Sequence, residues 1–81
     1  MRKVHINHVY RHYKGDKYIV LGVGTHSETL EECVIYRQLY GAGKIWIRPA
    51  SLFLGEIDHQ KHPEVKQKYR FQELHIKSVA H

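Results

Sequence analysis

Val9-Tyr10-Arg11-His12-Tyr13-Lys14-Gly15-Asp16-Lys17-Tyr18-Ile19-Val20-Leu21-Gly22-Val23 is the stretch on which the fold turns. β-Branched and aromatic residues fill both flanks, and Gly15-Asp16 lies within a four-residue connection from Lys14 to Lys17. The pattern predicts a strand from Val9 to Lys14, a tight turn, and a second strand from Tyr18 to Val23. Turn residues recur at Gly41-Ala42-Gly43 and at Gly55. Short strands punctuated this closely predict an all-β barrel or sandwich.

Outward from the hairpin, Gly24 to Glu31 breaks the pattern. Ser27-Glu28-Thr29-Leu30-Glu31 reads as a loop or single helical turn, with Ser27 or Thr29 as the capping hydroxyl. Glu32 to Tyr40 reads as a third strand and Ile45 to Arg48 as a fourth. Pro49 has no amide to give a central ladder, so Pro49 to Phe53 reads as a short helical turn. Leu54 to Asp58 reads as the final strand, and residues 59 to 68 as a polar loop. Tyr69-Arg70-Phe71 is expected to dock back on the body. The tail from Glu73 to His81 reads as either a frayed strand or a helix.

Strand alternation sorts the side chains into two faces. One collects Ile19, Leu21, Val23, Cys33, Ile35, Leu39, Ile45 and Ile47, which is the expected core. The other collects Tyr18, Val20, Tyr36, Gln38, Tyr40, Trp46 and Arg48. Arg37 falls on the core-facing parity, so it either sits at a barrel rim or marks a register one residue off, which would exchange the faces.

A chain of 81 residues holds one small domain. Its 42% hydrophobic and 26% charged residues are ordinary for a globular protein and exclude disorder. The longest uncharged apolar run, Tyr18 to Gly24, falls far short of the ~20 residues a spanning helix needs. Positive charge at Arg2-Lys3 has no apolar run behind it, so no signal peptide is expected. Cys33 is the single cysteine, which excludes an internal disulfide and a cysteine-based zinc site. These features together predict a cytoplasmic location. The net charge of +5 points to a polyanionic partner or simply to solubility, and eight histidines, each adding one, would carry it to +13 if protonated.

Four constellations could carry chemistry. His26-Ser27-Glu28 has the letters of a nucleophilic triad, but neighbours in one loop do not chain serine to histidine to carboxylate in the required geometry. The favoured reading is a capped loop, with Glu28 or Glu31 paired to Arg11, Arg37 or Arg48. The histidines are scattered, although His5 and His8, and His59 and His62, are spaced by three. Asp58 beside the second pair could trap a metal adventitiously, but structural zinc wants four convergent ligands and none is assigned. Tyr18, Tyr36, Tyr40, Trp46 and Arg48 form the third set. If exposed together, they could stack bases and contact phosphates, or form a protein interface. If Tyr69 and Phe71 cover them, they are a second core layer instead. Lys66, Lys68 and Arg70, with Lys61 upstream, form a basic stretch that is either a solvated edge or a phosphate contact.

Six strings identify a resemblance. They are Tyr10-Arg11-His12-Tyr13-Lys14-Gly15, Val20-Leu21-Gly22-Val23, His26-Ser27-Glu28-Thr29-Leu30-Glu31, Val34-Ile35-Tyr36-Arg37, Leu39-Tyr40-Gly41 and Trp46-Ile47-Arg48-Pro49. Long and in order, they resemble the bacterial family called domain of unknown function 1653 over about residues 8 to 58, with Tyr69-Arg70-Phe71 matching a weaker C-terminal feature. Gly24 stands where the family more often has alanine. The resemblance implies a small, partly open SH3-like barrel or roll. It brings no established reaction, cofactor or ligand, and fold analogy alone supplies none.

The resulting expectation is one domain over residues 1–81, its segment 59–81 docked or partly flexible. It is an all-β, SH3-like barrel of about five strands with a short helical turn. It is expected to be a non-catalytic binding module for a protein or small ligand. The site is centred on Tyr36, Tyr40, Trp46 and Arg48, with Arg11, His12, His26 and Glu28 at its edge. The alternative is a single-stranded nucleic-acid-binding domain using the same aromatics plus Lys66, Lys68 and Arg70. A third class is an enzyme using His26 and Glu28. No cofactor, metal or membrane partner is expected, and the chain is read as a monomer or weak homodimer.

Overall fold

The computed structural model describes residues 3–75. Four strands, a single helical turn and a fifth strand follow one another: β1 Val9–His12, β2 Lys17–Thr25, β3 Glu32–Gln38, β4 Ile45–Pro49, α1 Ala50–Phe53 and β5 Phe71–Glu73. They form one antiparallel sheet in the order β4-β3-β2-β1-β5. The all-β expectation holds. The ladder does not close β4 onto β5, so the sheet is a curled, open one.

The opening hairpin forms as its turn residues dictate. His12 N–H donates to the Asp16 carbonyl and Gly15 N–H to that of His12, both at 2.8 Å. Gly15 turns the chain at φ 107°, a conformation that costs a side-chain-bearing residue but not glycine. β3 follows β2 by a loop, and β4 follows β3 through Leu39–Lys44. Pro49 ends β4 opposite Cys33 on an edge strand, where a missing amide is tolerated. The chain then makes the single turn α1, in which Leu54 N–H reaches the Ala50 carbonyl at 2.9 Å and only Phe53 is buried.

The core lies on the face opposite to the one expected. Tyr10, Val20, Val34, Tyr36, Phe53 and Phe71 are buried as one cluster, flanked by Val4, Tyr18, Ala50 and Leu54. Cys33 and Ile57 are buried beside it. Leu21, Val23, Leu39, Ile45 and Ile47, read as core from their alternation, are exposed, Ile47 by 68%. Ile19 and Ile35 are half-buried. There are two physical reasons. Both parities of these strands are apolar, so alternation cannot choose between them. The inner face is chosen by rings arriving from outside the sheet. Phe53 and Phe71 stack at 4.2 Å, with Tyr36 tilted at 5.2 Å and Tyr10 edge-on at 5.3 Å to Phe53. Each buried ring contributes roughly 1.5–3 kcal/mol, more than an isoleucine at a sheet margin. A β-bulge at Leu21 then breaks the alternation itself: Val20 faces Tyr36, yet Gly22 faces Ile35 and Val23 faces Val34. Arg37 therefore lies on the solvent side, where its Nε holds the Gly43 carbonyl at 3.1 Å across the β3–β4 turn.

The expected last strand at Leu54–Asp58 is instead a short pairing of Gly55–Ile57 with Lys68–Arg70. It has one bridge, Glu56 to Tyr69, and two backbone hydrogen bonds at 3.0 Å. Gly55 is needed there, because a Cβ would meet the Ser51 carbonyl at 3.1 Å. The fifth strand is Phe71–Glu73, which carries Phe71 into the core as the docking expectation requires. The tail beyond His75, read as strand or helix, lies outside the described residues. No helix among them is long and apolar enough to cross a membrane.

Candidate functional site

β3, β4 and the part of β2 before the bulge project their even-numbered residues onto the ring-bearing face, and at one end of the sheet these residues emerge from the core. Tyr36 does not emerge: it is buried between Val20 and the phenylalanines. Tyr40 and Trp46 do, at 41% and 42% exposure. Their polar ends are fixed. The Tyr18 and Tyr40 hydroxyls share a 2.7 Å hydrogen bond, and Trp46 Nε1 donates to Gln38 Oε1 at 2.6 Å. Burial, then the bond to Tyr40, pushes the Tyr18 hydroxyl above its ordinary range, so it stays neutral.

Cations border these rings. Lys44 Nζ sits 4.6 Å over the Trp46 ring, and the Arg48 guanidinium 5.6 Å over Phe71. His12 packs edge-on against Phe71 at 5.0 Å. Its pKa is lowered, first by burial and then by the positive charges of Arg48, Lys14 and Arg70, against a weaker pull from Asp16. Among the described residues no carboxylate lies within ion-pair distance of Lys14, Lys44, Arg48 or Arg70. The Arg70 Nε is moreover buried without a hydrogen-bond partner.

The structure splits the expected site. Tyr40, Trp46, Arg48 and His12 come together, and Tyr36 supports them from beneath. Arg11 is exposed on the far side of β1, where its Nε meets Gln67 Oε1 at 3.4 Å. His26 and Glu28 sit in the β2–β3 loop. The full length of β3, about 20 Å, separates that loop from Tyr40. There His26 Nδ1 accepts the N–H groups of Glu28 and Thr29, both at 3.2 Å. The capping acceptor of the loop is thus His26, aided by Thr29 Oγ1 toward Glu31 N–H at 3.3 Å, rather than Ser27. Among the described residues, neither Glu28 nor Glu31 pairs with an arginine.

Lys66, Lys68 and Arg70 also part company. Lys66 lines a shallow cleft with Arg11, Lys14 and His62. Lys68 pairs with Glu56 at 3.5 Å, and Arg70 lines a small cleft with Tyr13, Asp58, Lys61 and His62. Sequence reasoning missed Lys44, which sits over the Trp46 ring. The lysine directly after Gly43 and two residues before Trp46 was the available signal. It also missed a cluster of His5, His8 and Glu73, for which the spacing of the two histidines was the only local sign.

Fold and face together define a small antiparallel β domain with an exposed, cation-bordered aromatic surface. The chain belongs to the family described as Protein of unknown function (DUF1653), which it matches over residues 8–73. A crystal structure of a DUF1653 protein from Bordetella bronchiseptica is similar to it at 29% identity and a TM-score of 0.70, over 90% of this chain and 92% of that one. No curated protein matches the chain significantly.

Proposed function

We propose that this domain is a binding module for single-stranded nucleic acid, held on the face formed by Tyr40, Trp46, Lys44, Arg48 and His12. One observation carries the reading: Lys44 lies over the exposed Trp46 ring and Arg48 over Phe71, and among the described residues neither cation has a carboxylate partner. Like charges gathered this way repel one another unless a polyanion joins them. The rings offer sequence-tolerant stacking, worth about 1–3 kcal/mol per base, and the cations offer phosphate contacts. A purely apolar protein partner would leave those charges uncompensated at the interface.

The test is an amide-resolved NMR titration with short mixed-sequence single-stranded RNA and DNA at low and moderate salt. The expected result is a set of shifts clustered at Tyr40, Lys44, Trp46, Arg48 and His12, with affinity falling steeply as salt rises. Absence of shifts at low salt, or shifts confined to the exposed isoleucines Ile45 and Ile47, would overturn the reading in favour of another partner.

A further inference from the structure

A second group of side chains converges near the start of the described chain. The turn at Ile6–Asn7, with Asn7 at φ 68°, folds the segment so that the His5 and His8 rings lie 5.1 Å apart. This segment is anchored by Asn7 N–H to the Val20 carbonyl at 2.8 Å and Val20 N–H to the His8 carbonyl at 3.1 Å. Both rings face Glu73, which β5 places directly opposite Tyr10. His5 Nδ1 lies 2.6 Å from Glu73 Oε1, and His8 Nδ1 lies 2.9 Å from Oε2. The Tyr10 hydroxyl donates to Oε1 at 3.1 Å and accepts the His5 N–H at 3.0 Å. His75 Nδ1 stands 3.9 Å from Oε2.

We propose that His5, His8 and Glu73 form a binding site for a divalent transition-metal ion of the zinc class, its remaining coordination position open to water. The donor set is two imidazole nitrogens and one carboxylate oxygen, which suits Zn²⁺ and its neighbours rather than Mg²⁺ or Ca²⁺. The ligand atoms lie within 4.8 Å of one another. Metal–ligand bonds of about 2.0–2.1 Å put tetrahedral ligand atoms roughly 3.3 Å apart, so the exposed rings must move by up to about 1.5 Å to close on an ion. The Glu73 side chain is 14% exposed and is held at both oxygens, whereas the histidine side chains are about half exposed. A fixed carboxylate therefore faces two rings free to adjust, and one side is open for ion entry. Tyr10 supplies the outer hydrogen bond that orients such a carboxylate.

The proton balance is simple. Without metal, each Nδ1 carries the proton it shares with Glu73. On binding, the ion takes both nitrogen lone pairs and one carboxylate oxygen, and any proton on Nδ1 is released to solvent or moved to Nε2. Binding weakens as acid returns those protons.

The experiment uses the full chain without an affinity tag. Zinc chloride is titrated in near neutral buffer by calorimetry, in parallel with histidine-ring nitrogen NMR. One equivalent is expected to saturate the site, with the Nδ1 signals of His5 and His8 moving and those of His26 staying still. His8→Gln and Glu73→Gln are each expected to weaken binding about tenfold or more, and His59→Ala with His62→Ala to leave it unchanged. An amide spectrum confirms that each variant is folded. His8→Gln removes a solvent-exposed ring and so tests the site even if Glu73→Gln unfolds. No saturable binding overturns the proposal and leaves a hydrogen-bonded clasp. So does binding that survives His5→Gln with His8→Gln, or that is lost with His59 and His62.

Discussion

Replacing Phe71 with leucine tests which face of the sheet is the core. Phe71 is 1% exposed and its ring meets, among others, Phe53 stacked at 4.2 Å, His12 at 5.0 Å, Tyr36 at 5.5 Å, Arg48 at 5.6 Å and Tyr18 at 5.7 Å. Leucine keeps the apolar character but loses the stack, which by itself is worth about 0.5–1.5 kcal/mol, and leaves some empty volume. A cost of about 2 kcal/mol follows. Alanine would cost about 3–5 kcal/mol, a large part of the roughly 4–12 kcal/mol that 81 residues are expected to hold. Leucine is therefore the measurable variant. Ile47→Ala is its control, because Ile47 is 68% exposed and its removal should cost no more than about 0.5 kcal/mol. Urea unfolding followed by circular dichroism reads both. With a slope of about 1 kcal/mol per molar urea, Phe71→Leu lowers the midpoint by about 2 M and Ile47→Ala by about 0.5 M or less. If Ile47→Ala costs as much as Phe71→Leu, the aromatic face is not the core and the placement of β5 is wrong.

Two further perturbations probe single features. Leu30 sits at φ 62° with its side chain 75% exposed, so Leu30→Gly should relieve backbone strain at little loss of burial and raise thermal stability by about 0.5–1 kcal/mol; a loss of stability would show that the side chain is held by something else. At Glu73, burial alone would raise the pKa, but the hydrogen bonds from His5, His8 and Tyr10 outweigh it and hold it at about 2, against an ordinary 4.5. A depressed carboxylate contributes stability that is fully present above about 4.5 and is lost as pH falls toward 2. Half-exposed histidine partners screen the interaction, so the contribution is about 1–2 kcal/mol. Urea midpoints measured from neutral pH downward should fall across that window in the parent and fall less in Glu73→Gln; parallel curves would refute the assignment.

The hairpin of β1 and β2, the third and fourth strands and the single helical turn were legible because their causes are local. Turn glycines, β-branched runs and a proline at an edge act within a few residues of where they stand. The choice of face was not local. Ile19, Leu21 and Val23 alternate with Tyr18 and Val20, and both sets are apolar enough to be buried. What decides between them is Phe53, behind a turn of helix, and Phe71, some fifty residues downstream of Val20. No periodicity within a strand carries that information. The bulge at Leu21 compounds the difficulty, since it shifts the parity of β2 midway while that of β3 runs on unbroken. Arg37 was the one local warning. An arginine on a supposed core parity is costly to bury, and the structure places it in solvent.

The candidate sites divide along the same line. Tyr40, Trp46 and Arg48 were legible as a set because all three belong to β3, β4 and the turn between them, so their convergence needs only a hairpin. His12 joins that face through Phe71, which seats β5 beside β1 so that His12 and Arg48 border the same ring. The residue that covers the aromatic core thus also brings His12 and Arg48 together. Of the two readings open for the aromatics, cover by Phe71 is the one the structure takes for Tyr36. The same holds for Glu73, two residues beyond Phe71 on β5: once Phe71 is seated, Glu73 is carried to Tyr10 and to both N-terminal histidines. Phe71→Leu should therefore weaken polyanion binding as well as stability, even though the buried ring offers no surface for a base to stack on.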